Sequence, residues 1–568
     1  MNSTTKSAWS IWGIVFFGCL LRFWNFTSLQ VEHFDEGVYA SNLFFGAESN
    51  YTYPSLEFFA PPLVPWLIEW SMILTGSIHW APFVPGLLFG CATVVLMTAL
   101  TLRWFGPPMA TLVALLAATS DLHMMYTRTA LTEPVVLFFL VAAVGCGIEM
   151  LRAIHLPDTT PEKSPLTKPL IWSALSGLLT GLAWSSKYSG WLPAAILITS
   201  SLLMMLNFES RKHWKTIAIC LALMLGMTVL VFSPTLWSLQ DVGGYAAVSA
   251  NHAQYSVGWS AWGTTALKQL QNADQFNSTL SLFALLIWGV CYIYIRKSNA
   301  VVSLVFILAL FLWSELGLIL HVLLAFVGYA VCLWQLMRTP NRTSEQQTLA
   351  IVAVVMFVWL GAMTLMTPTY TPYPRLLTIL LPPLWFGTAL FLDRVLLKDV
   401  DQGLIRKDVY WTASADVFLV IVIVFSKFYF SNQVLQDLLN VVAIQPRNAM
   451  AAVSEQLTAE MDKTSQPGER IVYVFAEPSL FFQFSNRGEV AGTIANLNFR
   501  ETKAPVPVFF IWGEHAERTN DFPEMWEQAA GDFELLLDVS APPSELVRLN
   551  QSDLKPDEEL SYHLYRVK

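Results

Sequence analysis

Apolar stretches long enough to cross a bilayer recur from residue 8 to residue 430 and largely decide the fold class. A helix needs about 20 apolar residues to cross the hydrocarbon core. With 54% hydrophobic and only 13% charged residues, the composition also departs from that of soluble domains. We predict a polytopic α-helical membrane protein with about thirteen spans. The predicted spans are 8–24, 81–103, 107–122, 132–151, 169–186, 190–207, 216–236, 278–295, 300–316, 319–337, 348–366, 377–392 and 410–430.

Three details complete this prediction. The first span is interpreted as a retained helix, with a cleaved signal peptide as the alternative. The pair 300–316 and 319–337 has the least distinct boundary. All six cysteines fall inside apolar runs, which is typical of reduced packing residues.

The distribution of lysine and arginine distinguishes the two faces of the predicted bundle, because short cytoplasmic loops are enriched in these residues. With the N-terminus inside, most cations fall in cytoplasmic loops and the opposite face is acidic. The net charge of −9 therefore reflects the outer face and gives no indication of a nucleic-acid partner. We expect a cytoplasmic (inner) membrane protein whose active face is extracytoplasmic.

Residues 431–568 are more polar and are predicted to form a separate extracytoplasmic α/β domain. Residues 1–430 are predicted to form the membrane domain. In the smaller domain, β-rich runs alternate with helical stretches. The predicted strands are 471–475, 506–512 and 533–539, and the predicted helices are 448–461, a segment after Pro478, and 524–530.

The first outer loop, residues 25–80, is too polar at its start and too proline-rich later to be one span. After Pro61 and Pro62 it resembles an amphipathic helix at the membrane interface, with Trp66 and Trp70 at headgroup depth. An ordinary buried helix is the alternative.

The same loop carries adjacent carboxylates, Asp35 and Glu36, next to His33. In an extended or irregular loop, neighbouring side chains diverge. One carboxylate could then act as a base on an acceptor while the other holds structure or metal. A solvated loop carboxylate is the alternative.

Further charges follow at other predicted outer junctions. Arg128 and Glu133 flank the start of one span, where Thr132 is a candidate N-cap and Pro134 suits the first turn. They could simply pair with each other or stabilise the helix end, but charges at the mouth of a bundle are functional candidates.

Two more cations lie at outer junctions. Lys187, followed by Tyr188, comes after Gly177 and Gly181 and is suited to a phosphate, with snorkelling as the alternative. Arg375, preceded by Tyr373 and Pro374, can form a bidentate hydrogen bond to a phosphate.

In this order the motifs resemble those of the protein O-mannosyltransferase and aminoarabinose transferase superfamily of GT-C glycosyltransferases, over nearly the whole chain. The resemblance implies a polyprenyl-phosphate sugar donor and an inverting single displacement. By resemblance, Asp35 and Glu36 align with the catalytic pair of the first loop. The implied substrate-binding residues are Arg128, Glu133, Lys187, Tyr188, Tyr373 and Arg375.

The departures favour the prokaryotic branch, since no loop is long enough for the β-trefoil insert of the eukaryotic enzymes. Leu376 also stands where the family commonly has tyrosine, and Glu133 where aspartate is frequent. A divalent metal ion is an option that the resemblance leaves open. Its candidate ligands are His33, Asp35, Glu36 and Glu133.

The function expected from these residues is sugar transfer to a hydroxyl of a protein, lipid or glycan acceptor at the outer membrane face, with Asp35 as general base. Two other classes stay open: a transporter or flippase for lipid-linked glycans, and a non-catalytic assembly protein. Against a transporter, the charges cluster on one face and not at the midplane of the spans.

Overall fold

The computed structural model describes residues 3–44, 60–156, 166–207, 209–273, 300–339, 342–393, 447–493, 506–517, 519, 522–550 and 558–568. The described residues up to 393 form an α-helical bundle. Its α-helices are Ser3–Phe23, Phe34–Ala40, Leu63–Thr75, Val84–Phe105, Pro107–Thr119, Asp121–Thr127, Glu133–His155, Thr167–Ser186, Leu192–Asn207, Trp214–Ser238, Gly244–Ala253, Trp262–Ala273, Ala300–Met337, Ser344–Met366 and Leu381–Phe391.

Seven stretches of the described chain are long and apolar enough to cross a membrane, which confirms a multi-pass membrane protein. An eighth crossing results if Pro107–Thr119 and Asp121–Thr127, which meet at an angle of 56°, make one broken span. The seven stretches are Trp9–Ser28, Ala81–Phe105, Glu133–His155, Arg211–Val242, Leu318–Met337, Ser344–Thr369 and Pro374–Phe391.

The predicted spans differ from the structure at several places. Predicted spans 169–186 and 190–207 correspond to the helices Thr167–Ser186 and Leu192–Asn207, but neither helix is among the seven stretches that are long and apolar enough to cross a membrane. Spans 300–316 and 319–337 were expected to be separate, but they lie on one helix, Ala300–Met337. The segment between them contains no proline, and its one glycine is tolerated in a helix interior. The predicted span 107–122 is broken at Ser120, whose extended backbone and side chain cap the next helix. Predicted spans 278–295 and 410–430, and the predicted domain boundary at 430, lie outside the described residues.

Close helix packing in the bundle depends on the two glycines noted in the sequence. A Cβ atom at Gly177 would lie 2.3 Å from the carbonyl oxygen of Met224, and one at Gly181 would lie 2.5 Å from Val231 Cβ. Helices Thr167–Ser186 and Trp214–Ser238 can therefore approach at this distance only because side chains are missing there. Lys187 directly follows the first of these helices.

The predicted interfacial helix is present as Leu63–Thr75. One face is buried through Val64, Ile68 and Met72, whereas Trp66 and Trp70 on the other face are exposed. An exposed tryptophan-bearing face suits the headgroup layer of a bilayer, which agrees with the interfacial interpretation.

The C-terminal domain is a small α/β unit, as predicted. Its strands are β1 Ile471–Phe475, β2 Val490–Thr493, β3 Val508–Gly513, β4 Phe533–Ala541 and β5 Leu560–Val567. They form a five-stranded sheet of order β2-β1-β3-β5-β4, with β1, β2 and β3 parallel and β5 antiparallel to both β3 and β4. The helices of the domain are Ala449–Met461, Pro478–Asn486, Glu514–Glu517, Phe522–Ala529 and Glu545–Asn550.

This domain packs directly on the membrane domain. Phe482 and Leu546 join the hydrophobic core of the bundle, and the rings of Phe482 and Phe44 lie 6.0 Å apart. The described part of the chain therefore has a shared apolar seam between its two domains.

Candidate active site

The adjacent carboxylates lie on a short helix, Phe34–Ala40, and not in the extended or irregular loop that was expected. His33 caps the helix by accepting a hydrogen bond from Asp35 N through Nδ1, and Glu36 completes a capping box by accepting from His33 N. The box was missed because histidine replaces the usual Ser, Thr, Asp or Asn of an N-cap. Consecutive helical residues still point in different directions, so the expected divergence of Asp35 and Glu36 holds.

The Glu36 carboxylate is completely buried and bonded on both oxygens. Oε2 accepts from the backbone N of Glu32 and His33 at 3.2 and 3.3 Å. Oε1 accepts from Ala130 N and from Arg447 Nη1, each at 3.0 Å. These bonds fit the structural role considered for one of the two carboxylates, because they leave Glu36 little capacity to bind a substrate.

Asp35, in contrast, is partly open and pairs with Arg375. Arg375 Nη1 lies 2.5 Å from Asp35 Oδ2, and both side chains retain about a fifth of their exposure (20% and 17%). Burial raises the pKa of the Asp35 carboxyl, but Arg375, together with His33 and Lys187, outweighs this and holds the pKa below its usual value. Asp35 is therefore ionised at neutral pH.

A second ion pair, Lys187 with Glu133, lies close enough to Asp35 that the lysine charge helps to lower the pKa of the Asp35 carboxyl. Lys187 Nζ lies 2.6 Å from Glu133 Oε1; the glutamate side chain is 3% exposed and the lysine 24%. Glu133 and Pro134 begin their helix as expected, and Thr132 occupies the N-cap position without a capping hydrogen bond from its side chain.

Arg128 does not pair with Glu133, which had been one interpretation of their proximity in sequence. Its guanidinium donates through Nη1 to the carbonyl oxygens of Arg22 and Trp24, at 2.9 and 2.5 Å, and the residue is buried. Arg128 ends the helix Asp121–Thr127 and fastens it to the end of the first helix. This geometry favours a structural role over phosphate binding.

The two tyrosines expected in the site lie beside its cations. Tyr188 directly follows Lys187, is buried, and packs its ring 5.8 Å from Tyr245 and 5.7 Å from His252. The guanidinium of Arg375 lies over the Tyr373 ring at 4.8 Å. Tyr188, next to Lys187, is therefore held by two aromatic rings, and the Tyr373 ring limits the movement of the Arg375 guanidinium.

The proposed metal ligands do not converge in the described residues, where no group of three His, Cys, Asp or Glu side chains could hold an ion. His33 Nδ1 and both Glu36 oxygens already accept hydrogen bonds, and Asp35 and Glu133 each bind a cation. Because this donor set does not fit a divalent ion, we assign no step to a metal.

Sequence reasoning missed Arg447, which bonds Glu36 from the C-terminal domain. Nothing in its sequence surroundings signals this contact, because it depends on how two domains pack. Tyr245 and His252 were also missed, because they lie on a helix, Gly244–Ala253, that falls between two predicted spans.

Among solved structures, the chain is similar to ArnT of Cupriavidus metallidurans. The structure of ArnT bound to undecaprenyl phosphate matches with a TM-score of 0.54 and 14% identity, over 98% of each chain. The apo ArnT structure matches with the same score and identity, over 99% of this chain and 98% of that one. This protein has the GT-C fold. The fold expected from the sequence is therefore confirmed. A sequence identity of 14% supports a statement about the fold only.

A more distant likeness is to the oligosaccharyltransferase AglB of Archaeoglobus fulgidus, with a TM-score of 0.49 and 11% identity over 98% of this chain and 76% of that one. Neither a protein-family model nor a curated protein matches the sequence.

Proposed function

We propose that this protein is an integral membrane glycosyltransferase that moves a sugar from a polyprenyl-phosphate donor to an acceptor hydroxyl at the extracytoplasmic face. The observation that carries the proposal is the pairing of two partly exposed cations, Lys187 and Arg375, with two carboxylates at one end of the bundle. Transfer from a lipid phosphate needs both kinds of group: cations for the departing phosphate and a base for the acceptor.

The reaction is a single displacement. Asp35 takes the proton of the acceptor hydroxyl, and the acceptor oxygen forms a bond to the anomeric carbon. The bond from that carbon to the phosphate oxygen breaks, and the polyprenyl phosphate leaves with the electron pair. Attack from the face opposite the phosphate inverts the anomeric configuration.

Donor binding would also prepare the base. In the structure, Arg375 neutralises Asp35, which lowers the basicity of the carboxylate. A phosphate that binds Arg375 and Lys187 competes with the carboxylates for these cations. Asp35 thereby becomes available as a base once the donor is in place.

The fold supports the donor class. ArnT, which has the same fold, was solved with undecaprenyl phosphate bound. We extend from that structure to this chain only the use of a polyprenyl-phosphate lipid. We propose a hexose or pentose as the sugar, and a protein, lipid or glycan hydroxyl as the acceptor.

The test is release of polyprenyl phosphate by purified protein from a panel of polyprenyl-phosphate sugars, with mixed cell-envelope acceptors. General-base catalysis typically contributes about 100- to 10,000-fold. We therefore expect Asp35→Asn to lose turnover by that factor while its thermal melting temperature stays the same. The anomeric configuration of the product, measured by NMR, checks the inversion.

Asp241→Asn is the matched control, because Asp241 is an exposed aspartate outside the site. It should turn over at the wild-type rate. Near-normal turnover by Asp35→Asn would remove Asp35 as the base. Movement of the donor across vesicle membranes without release of polyprenyl phosphate would instead indicate a flippase.

A further inference from the structure

The helix that carries Asp35 is held between the two domains. A Cβ atom at Gly37 would lie 2.3 Å from the backbone N of Ser479, so the C-terminal domain touches this helix at its backbone. Gln483 also donates from Nε2 to the carbonyl oxygen of Val31 at 3.3 Å. The position of Asp35 therefore depends on the C-terminal domain as well as on the membrane bundle.

Arg447 is the charged contact across this seam. Its guanidinium donates through Nη1 to Glu36 Oε1 at 3.0 Å and through Nη2 to the carbonyl oxygen of Arg128, and it lies 5.0 Å from the centre of the Phe83 ring. The arginine side chain is 8% exposed and the Glu36 side chain is fully buried. An uncompensated charge at this depth is strongly unfavourable.

A neighbouring contact strengthens the same seam. The backbone N of Ala449, two residues after Arg447, donates to Glu32 Oε1 at 2.7 Å. Glu32 and Glu36 therefore both bind the segment with which the described part of the C-terminal domain begins. Glu36 also closes the capping box of the helix whose first turn contains Asp35. Arg447 is thus connected to the backbone N of Asp35 by hydrogen bonds through Glu36 and His33.

We infer that Arg447 is a positioning residue for the proposed transfer: by neutralising Glu36 it fixes the helix Phe34–Ala40, so the C-terminal domain completes the active site. This inference rests on the proposed function. It distinguishes Arg447 from Lys187 and Arg375, because Arg447 contacts protein groups and would act on the rate without binding the donor.

The test compares Arg447→Gln with wild type in two measurements. Binding of undecaprenyl phosphate gives the number of competent sites and their affinity, and we expect both to be unchanged. Turnover per binding site should fall about 100-fold, since small errors in the placement of a catalytic group have costs of that order. Arg447→Lys keeps the charge but lacks the two guanidinium nitrogens that bond Glu36 and Arg128, so its turnover should lie between those of Arg447→Gln and wild type.

Arg487→Gln is the matched control, because Arg487 forms an exposed ion pair with Glu455 in the same domain. It should leave turnover unchanged. If Arg447→Gln does not fold, the double variant Glu36→Gln, Arg447→Gln removes the uncompensated charge. It still lacks the bonds of the guanidinium to Glu36 and to the carbonyl oxygen of Arg128, so it should turn over slowly. Wild-type turnover per binding site, in either the single or the double variant, overturns the inference.

Hydrogen exchange of the 33–40 segment gives a readout that does not need activity. Exchange should be faster in Arg447→Gln than in wild type or Arg487→Gln. If wild type transfers no sugar but this difference is observed, the proposed function fails and the positioning contact stands. If wild type transfers sugar and exchange does not change, the positioning inference alone fails.

Discussion

Each end of the helix Glu133–His155 carries a buried glutamate, and the two glutamates have different surroundings. Glu149 accepts from Arg152 Nη1 at 2.6 Å, from Trp104 Nε1 at 2.8 Å and from Arg103 Nε at 3.0 Å. Glu133, at the other end, binds the partly exposed Lys187. A carboxylate with donors from three side chains is a structural anchor, whereas a carboxylate bound by a single cation can lose that partner to a ligand. This difference separates the proposed site from an ordinary charge cluster.

The largest effect that tests this contrast is on donor binding. Lys187→Met and Arg375→Met should each weaken undecaprenyl phosphate binding by about 10- to 100-fold, because a charge-assisted hydrogen bond contributes about 1.5–3 kcal/mol. Arg103→Met, at the Glu149 end, should leave binding unchanged. Titration calorimetry in detergent measures all three. Equal effects of Lys187→Met and Arg103→Met would contradict the contrast between the two ends.

A substitution at the other end of the helix tests the structural role of Glu149. Glu149→Ala removes the acceptor of hydrogen bonds from three side chains and should lower the free energy of unfolding by about 1–3 kcal/mol. Thermal melting in detergent should show the loss, while binding of undecaprenyl phosphate per folded molecule stays at the wild-type level. Reduced affinity in the folded fraction would mean that the two ends are coupled.

The smallest effect is on the pH dependence. Asp35 must be ionised to act as a base, and Arg375 holds its pKa below the usual value. In Arg375→Gln the effect of burial, which raises the pKa, is no longer offset by this cation. The acid limb of kcat/KM should therefore move to higher pH, and activity should be lost earlier as the pH falls. An unchanged acid limb would show that another group controls it.

The secondary structure of the C-terminal domain was largely predictable from local patterns. The run Ile471–Phe475 is rich in β-branched and aromatic residues and is a strand as predicted. Strand β2 was missed because it is short and contains Ala491 and Gly492, which have low β-propensity. Strand β5 was missed although its buried residues alternate near its start.

The site was predictable as a set of residues but not as a set of pairs. Sequence position suggested that Arg128 faces Glu133, yet Glu133 binds Lys187, which lies 54 residues later. Asp35 and Arg375 are 340 residues apart. Which cation meets which carboxylate depends on helix packing, to which close contacts such as that at Gly177 contribute, and periodicity alone does not encode it.

The contact between Glu36 and Arg447 also has a consequence for biosynthesis. The two residues are 411 positions apart. At about 5–20 residues per second, the ribosome needs roughly 20–80 s to synthesise the chain between them. Throughout that interval the nascent chain holds a carboxylate whose partner does not yet exist. The proposed site therefore cannot be completed before residue 447 of the 568 has been translated.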